Sequence, residues 1–300
     1  MKILALEPFY GGSHKAFLDG WVSQSRHDWT IISLPARKWK WRMRHAAVTM
    51  ADAVADRMEQ GETFDLIFCS DMLNLSEFRG LVTEEIRARP SVVYFHENQL
   101  TYPNRIIAKR DYHFAFTNLT TSLCADEIWF NSQFHKEELL GALPRFWKRM
   151  PDFDLSRHIE ALNQKSKVHS PGIENPLPRS TRKSGPVHIV WVARWEHDKN
   201  PADFFAALEQ LKEQAVPFCL SILGEQYAEI PRQFTEAQDF FADEIINYGF
   251  QPAREAYLQT LSEADVVVST AEHEFFGIAV VEAIAAGAYP LLPDRLSYPG

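Results

Sequence analysis

Two glutamates, Glu274 and Glu282, bracket seven residues, and a glycine, Gly277, stands between them. Glu274 follows an apolar run at 266–269 that reads as a strand. The amides of Phe276, Gly277 and Ile278 then open a helix, and such an N-terminus attracts phosphate. Glu282 lies about one turn into that helix, where a carboxylate can bind two ribose hydroxyls. Either glutamate alone is ordinarily a solvated surface charge. The pair at this spacing after a strand favours a nucleotide site.

A second group precedes it, in Val192-Ala193-Arg194-Trp195-Glu196-His197-Asp198-Lys199-Asn200-Pro201. Arg194 follows an apolar run, and Lys199 stands before a helical stretch. Both cations can reach a diphosphate and stabilise the charge that develops on a departing nucleoside diphosphate. An exposed salt-bridge loop is the plainer reading, and the glutamate pair weighs against it.

Near the start, Glu7-Pro8-Phe9-Tyr10-Gly11-Gly12-Ser13-His14 follows the first apolar run. Gly11 and Gly12 let backbone amides approach a ligand, although a Gly-Gly pair is also ordinary turn chemistry. The absence of GxGxxG argues against a nicotinamide or flavin dinucleotide. In Phe95-His96-Glu97-Asn98-Gln99-Leu100-Thr101-Tyr102-Pro103, His96 at a strand end can hydrogen-bond a sugar hydroxyl or the acceptor. Glu97 and Asn98 crowd beside it, and structural and functional roles stand level. His96, His113 and His135 show no metal-ligand spacing and there is no HExxH, so no metal is expected.

The run Arg37-Lys38-Trp39-Lys40-Trp41-Arg42-Met43-Arg44-His45 mixes cations and aromatic rings inside an acidic chain. It suits an acceptor bearing phosphates and bases. Equally, it can be a solvated helix start whose tryptophans pack on the domain. Arg145-Phe146-Trp147-Lys148-Arg149 is a weaker second patch of the same kind.

The elements that must position these residues alternate short apolar runs with amphipathic segments, the pattern of parallel α/β sheets. Strands are predicted at 2–6, 29–34, 66–70, 92–95, 127–130 and 168–169, with helices at 46–60 and 107–123 among those between. A polar, proline-bearing stretch at 174–186 reads as a linker. The pattern restarts with strands at 187–193, 218–223, 245–248, 266–269 and 289–292 and helices at 201–214 and 278–286. We therefore expect two Rossmann-like domains, 1–175 and 176–300, the second carrying the glutamate pair. In such sheets ligands bind at the carboxyl ends of strands, where these loops lie. No closing helix follows 289–292, so the second domain is expected to lack its last helices.

Composition limits the alternatives. The 300 residues suit about two domains of about 150 residues each. A net charge of −9 argues against broad nonspecific nucleic-acid binding and leaves local basic patches open. Cys69, Cys124 and Cys219 are scattered in apolar surroundings, read as buried core thiols of a cytoplasmic protein. No signal peptide is evident, and no apolar run reaches the roughly 18 residues a membrane helix needs.

These residues resemble the GT4 family of retaining GT-B glycosyltransferases. Arg194, Lys199, Leu223-Gly224-Glu225, Gly249 with Tyr257, Leu261-Ser262-Glu263-Ala264-Asp265, the Glu274/Glu282 pair and Ala283-Ile284-Ala285-Ala286-Gly287 carry the resemblance. So does Pro171-Gly172-Ile173-Glu174. The motifs at 7–14 and 95–103, with Phe130-Asn131-Ser132, are similar to the tRNA-queuosine α-mannosyltransferase subfamily.

The resemblance implies a GT-B fold with two sheets facing a central cleft, 1–175 on the acceptor side and 176–300 on the nucleotide-sugar side. It implies transfer of mannose from GDP-mannose to queuosine in tRNA, with retention and without a cofactor. The donor would meet Gly11, Gly12, Arg194, Lys199, Gly224, Phe276, Gly277, Ile278 and Glu282, with His96, Arg194, Lys199 and Glu274 catalytic. Arg37, Lys38, Lys40, Arg42, Arg44, Glu97 and Asn98 would meet the acceptor. The rival readings are a glycosyltransferase for a lipid or small glycan, and a non-catalytic RNA-binding module. No Lys-rich amphipathic membrane helix supports lipid, and intact Arg194, Lys199, Glu274 and Glu282 oppose the inert module.

Overall fold

A computed structural model describes residues 1–103, 111–150, 152, 156–179, 184–226 and 230–299. The chain divides into two compact units, Met1–Gly172 and Ile173–Pro299. Each is built on a parallel sheet.

In the first unit the order is β1 (Lys2–Tyr10), α1 (Gly12–Gln24), β2 (Asp28–Pro35), α2 (Trp39–Glu59), β3 (Leu66–Ser70), α3 (Leu75–Leu81), α4 (Glu84–Arg87) and β4 (Ser91–Phe95). Then come α5 (Tyr112–Cys124), β5 (Glu127–Phe130), α6 (Gln133–Trp147), α7 (Ile159–Gln164) and β6 (Ser166–Val168). The sheet runs β2-β1-β3-β4-β5-β6. The period-two alternation of strand side chains makes two cores. Leu4, Leu6, Ile67, Cys69, Val93 and Phe95 face the layer that includes α2. Ile3, Ala5, Phe68, Val92 and Tyr94 cover Leu18 of α1.

The second unit contains β7 (Val187–Val192), α8 (Pro201–Glu213), β8 (Phe218–Leu223), α9 (Arg232–Phe240) and β9 (Ile245–Gly249). It continues through α10 (Arg254–Glu263), β10 (Val266–Val268), α11 (Ile278–Ala285) and β11 (Tyr289–Leu291). Its order is β11-β10-β7-β8-β9. Ile189 and Trp191 pack with Phe204, Phe205 and Phe234, whereas Val190 and Val192 pack with Leu261, Val280 and Ala283.

Each sheet reverses its direction of growth once, between β1 and β3 and between β7 and β10. Ligands in open parallel sheets bind outside the carboxyl ends at that reversal. The fold thus selects the loops after β1 and β3 in one unit and after β7 and β10 in the other.

Several expected boundaries move. β1 runs on to Tyr10, because residues as far as Glu7 pair with β2 before the register shifts. Helix α2 starts at Trp39, inside the basic-aromatic run. The part of the expected helix at 107–110 and the linker positions 180–183 lie outside the described residues. Only Cys69 is buried; Cys124 and Cys219 are half-buried, and all three are free thiols. Among the described residues no helix is long and apolar enough to cross a membrane.

Candidate active site

In the second unit, Lys199 is the centre of the reversal-point group. It ends a single turn of 3₁₀ helix after β7 and is 5% exposed. Its Nζ donates to the His273 carbonyl at 2.7 Å and to Glu274 Oε2 at 3.1 Å. Asp198 Oδ2 lies 3.2 Å away. Asp198 adds its charge there without a hydrogen bond, and the two bonds run to the loop after β10. Lys199 therefore fixes the loop after β10 against the loop after β7.

Arg194 sits 3.5 Å from Glu196 Oε2, and its charge acts on Glu274 as well. Burial works to raise the Glu274 carboxyl, but Lys199, Arg194 and the Phe276 N–H hold it below the usual glutamate value. The result is an enclosed carboxylate kept ionised beside two cations. It can accept hydrogen bonds from sugar hydroxyls. The Phe276 amide, expected to face phosphate, is used by Glu274 instead.

Gly277 caps α11 at φ +81°, a left-handed conformation that favours glycine. Glu274 Cγ would lie 3.3 Å from a Cβ added there, so the carboxylate arm folds over the helix start. Gly224, after β8, is pinned differently: an added Cβ would stand 1.8 Å from the Ala193 carbonyl oxygen. Trp195 N–H bonds the Glu225 carbonyl at 3.0 Å, zipping these two loops together.

Glu282 lies on α11 about 7 Å along the axis from Gly277, at 1.5 Å rise per residue. Tyr257 donates its hydroxyl to Glu282 Oε2 at 2.7 Å, and Arg254 donates to Oε1. Arg254 Nε also reaches Glu174 at 3.0 Å. Arg194, Lys199 and Glu274 thus form one group. Glu282 belongs to a neighbouring Arg254–Tyr257 group on the same helix. Arg254 had no signal in the sequence; the structure places it at the start of α10.

His273 is drawn into the cationic group. Burial first, then Lys199, push its pKa down to about 4, so it is neutral in the folded protein. The unfolded chain has the ordinary 6.5 and binds more protons between those values. This residue's part of stability should therefore fall as pH drops from 6.5 to about 4. Thermal melts of His273→Gln should show a weaker acid decline across that window than wild type; parallel curves would refute the assignment.

In the first unit the reversal point holds a second buried polar group. Glu7 is 3% exposed and accepts from the Phe9 N–H at 2.9 Å and the Ser70 hydroxyl at 3.0 Å. His14, in the first turns of α1, is 8% exposed, and its Nδ1 stands 3.3 Å from Glu7 Oε1. Its ring lies over that of His96, centroids 3.9 Å apart. Asp71, fully buried after β3, accepts the His96 N–H at 2.8 Å. Asn131 donates to the His96 carbonyl at 2.9 Å.

Burial lowers His14, but Glu7, with smaller help from Asp71 and Glu97, carries it up to about 9. Burial and the His14 charge keep His96 well below the ordinary histidine value. Burial pushes Asp71 up to about 8; protonated, it adds nothing to His14, which leaves Glu7 as the principal cause.

Among the described residues, Glu7, His14 and His96 are the one trio of His, Cys, Asp or Glu ligand atoms lying within 4.8 Å of one another. Its geometry is an ion pair and a ring stack, with Glu7 already accepting two other hydrogen bonds. The sequence signal for Glu7 was its place directly after the first apolar run, read as a loop, whereas the structure keeps it in β1. For His14 there was none beyond its place after Gly11 and Gly12.

The remaining expectations divide. Gly12 has φ +52° at the start of α1, as a ligand-facing turn requires, and nothing would crowd an added Cβ. Gly11 is extended; an added Cβ would lie 2.4 Å from Ala36 Cβ, so close packing explains it. Asn98 corrects the sequence reading. It is fully buried and its Oδ1 accepts from Leu100 and Thr101 amides, while its Nδ2 donates to Thr101, so it holds the turn and does not face an acceptor. Glu97 accepts from Gln99 at 2.8 Å.

The basic run divides between packed and exposed side chains. Trp39 packs on Phe114, whereas Trp41 is 70% exposed. Arg37, Lys38 and Lys40 are exposed. Arg42 is partly committed, donating to the Pro35 carbonyl at 3.0 Å. Arg44 lies over the Phe114 ring and 3.8 Å from Asp111.

Comparisons with known proteins agree with this architecture. Residues 2–173 match the family model described as tRNA-queuosine alpha-mannosyltransferase N-terminal, and residues 174–298 match glycosyl transferases group 1. The chain is 39% identical over 309 residues to a tRNA-queuosine alpha-mannosyltransferase of Drosophila melanogaster, covering 99% of this chain and 80% of that one. A GDP-mannose:cellobiosyl-diphosphopolyprenol alpha-mannosyltransferase of Xanthomonas oryzae pv. oryzae is 28% identical over 108 residues, 35% of this chain and 28% of the relative. The solved sucrose-phosphate synthase of Thermosynechococcus elongatus matches in fold alone, with TM-score 0.71, 14% identity, and coverage of 99% of this chain and 82% of the other. With the GT-B pair of parallel sheets, the Arg194–Lys199–Glu274 group and these matches together, the chain belongs to the tRNA-queuosine alpha-mannosyltransferase family and is a glycosyltransferase.

Proposed function

We propose that the enzyme transfers mannose from GDP-mannose to queuosine in tRNA, with retention at the anomeric carbon, without a metal ion, in the cytoplasm. The observation that carries the reading is the ionised Glu274 held beside Lys199 and Arg194 at the β7/β10 reversal. Family membership supplies the acceptor class, and the Xanthomonas relative's name supports the donor.

Glu282 takes the ribose, exchanging its Arg254 and Tyr257 hydrogen bonds for ribose hydroxyls. Arg194 meets the diphosphate directly. Lys199, bonded to Glu274 and to the His273 carbonyl, adds its charge and holds Glu274 toward the sugar hydroxyls. His96 accepts a hydroxyl of the sugar. No side chain attacks the anomeric carbon. That carbon's bond to phosphate oxygen breaks while its bond to the acceptor oxygen forms on the same face. The departing phosphate takes the acceptor's proton. The exposed Arg37, Lys38, Lys40 and Trp41 suit tRNA phosphates and bases.

Incubation with radiolabelled GDP-mannose should label queuosine-containing tRNA and leave queuosine-free tRNA unlabelled. Equal labelling of both, or transfer from UDP-glucose in preference, would defeat this reading. Calorimetry separates the inert RNA-binding rival, which would bind neither GDP nor GDP-mannose.

A further inference from the structure

The Glu7–His14 pair has no place in the chemistry just described. It is a charged pair buried at the carboxyl end of a sheet, where an apolar pair of similar volume would serve folding as well. Its one aromatic partner of chemical consequence is His96.

His96 is gripped from several sides. Its backbone is held at both ends, the main-chain N–H donating to Asp71 at 2.8 Å and the carbonyl accepting from Asn131 at 2.9 Å. Phe17 meets its ring edge-on at 5.0 Å and Tyr94 at 4.8 Å. The remaining face lies against His14 at 3.9 Å, with an interplanar angle of 31°. His14 is in turn held by Glu7, whose carboxylate is fixed by Ser70 and the Phe9 amide.

We propose that Glu7 and His14 are positioning residues for His96: a buried carboxylate–imidazolium pair stacked on His96 that fixes its plane and keeps its ring neutral. Two imidazolium rings at this separation, away from water, repel strongly, so the pair holds one charge between them. Glu7 decides which ring carries it. The other charged or titratable groups facing the stack are Asp71 after β3, Glu97 after β4 and His135 on α6. Glu97 favours charge on His14, His135 opposes it on His96, and Asp71, held protonated by its burial, adds no charge to either.

The consequence is chemical. Glycosyl transfer builds positive charge at the anomeric carbon. A neutral His96 accepts a hydrogen bond from the sugar without opposing that charge, whereas an imidazolium would donate and repel. This rests on the proposed contact of His96 with the donor sugar, but its primary test does not.

Imidazole ¹⁵N NMR of the whole chain, with pH titration, reads both rings directly. In wild type His14 should stay protonated until pH approaches about 9, while His96 stays neutral below the ordinary 6.5. In Glu7→Gln, His14 should titrate at or below 6.5. Its kcat should fall roughly 10-fold, with a shifted pH profile and an unchanged KM for GDP-mannose. Glu7→Asp should restore both. His14→Gln, checked for folding by its melting curve and GDP binding, should lose kcat likewise. A neutral His14 at pH 7.5 in wild type would overturn the proposal. So would a Glu7→Gln enzyme with altered His14 titration and unaltered kcat and pH profile, or stoichiometric zinc uptake that shifts both rings. If no mannosyl transfer is found at all, the functional reading fails while the NMR result still decides this one.

Discussion

Lys199→Met is expected to lower kcat/KM by about 10³-fold and to cut stability, because one ammonium serves both purposes. Its charge lies beside Glu274 at 3.1 Å and Asp198 at 3.2 Å, and it is 5% exposed. Removing it leaves two carboxylates and the His273 carbonyl facing a methionine. Breaking a buried pair in this way costs about 3–5 kcal/mol, since the partners remain desolvated. For a unit of this size that is a fall in Tm on the order of 10 °C. Without Lys199, the Glu274 carboxyl also loses the first of the influences holding it down. It then rises and begins to bind a proton that a hydroxyl-accepting carboxylate must not carry. Loss of one preorganised electrostatic contact costs roughly 10²–10³ in rate, and loss of ionised Glu274 adds to it. Lys199→Arg should not rescue, because a planar fork does not fit three partners arranged around a point charge. Turnover and melting are measured well below the mutant's Tm; wild-type turnover in Lys199→Met would remove the group from the mechanism.

Gly224→Ala should be nearly as damaging through sterics alone. An added methyl would stand 1.8 Å from the Ala193 carbonyl oxygen and 2.8 Å from its carbon, both backbone atoms. The loop holding Arg194 would have to move. Ordinary overpacking costs about 1–3 kcal/mol, and a clash with backbone should cost about 3 kcal/mol or more. GDP affinity should drop at least about 10-fold, since a displacement of an ångström at a positioning loop is amplified. Gly141→Ala provides the contrast. Nothing lies within 4 Å of its added methyl inside α6, so that variant should gain roughly 0.5–1 kcal/mol. Chemical denaturation of the two variants should give shifts of opposite sign; a stable, GDP-binding Gly224→Ala would contradict the packing.

The sheets were legible in the sequence because a buried parallel strand is an uninterrupted apolar run, as in Val187–Val192 and Phe218–Leu223. Residues 7–10 were read as a loop because Glu7 and Pro8 break that run, yet neighbouring β2 holds them in pairing. The cations and carboxylates after β7 and β10 were legible as well, since strand ends announce where such groups sit. The partners were not. Arg254 and Glu282 are 28 residues apart and meet through the packing of α10 on α11. Asn98 looked like a surface polar group because its buried turn has no apolar signature. The stacking of His14 on His96 joins residues 82 positions apart, through an element order that no local pattern encodes.

Arg254 forks. One arm holds Glu282, and the other holds Glu174, the second residue past the division of the chain at Gly172. On the proposed reading, a ribose that claims Glu282 displaces only the terminal nitrogen of that guanidinium and leaves Nε on Glu174, so the segment entering the second unit keeps its anchor with or without nucleotide.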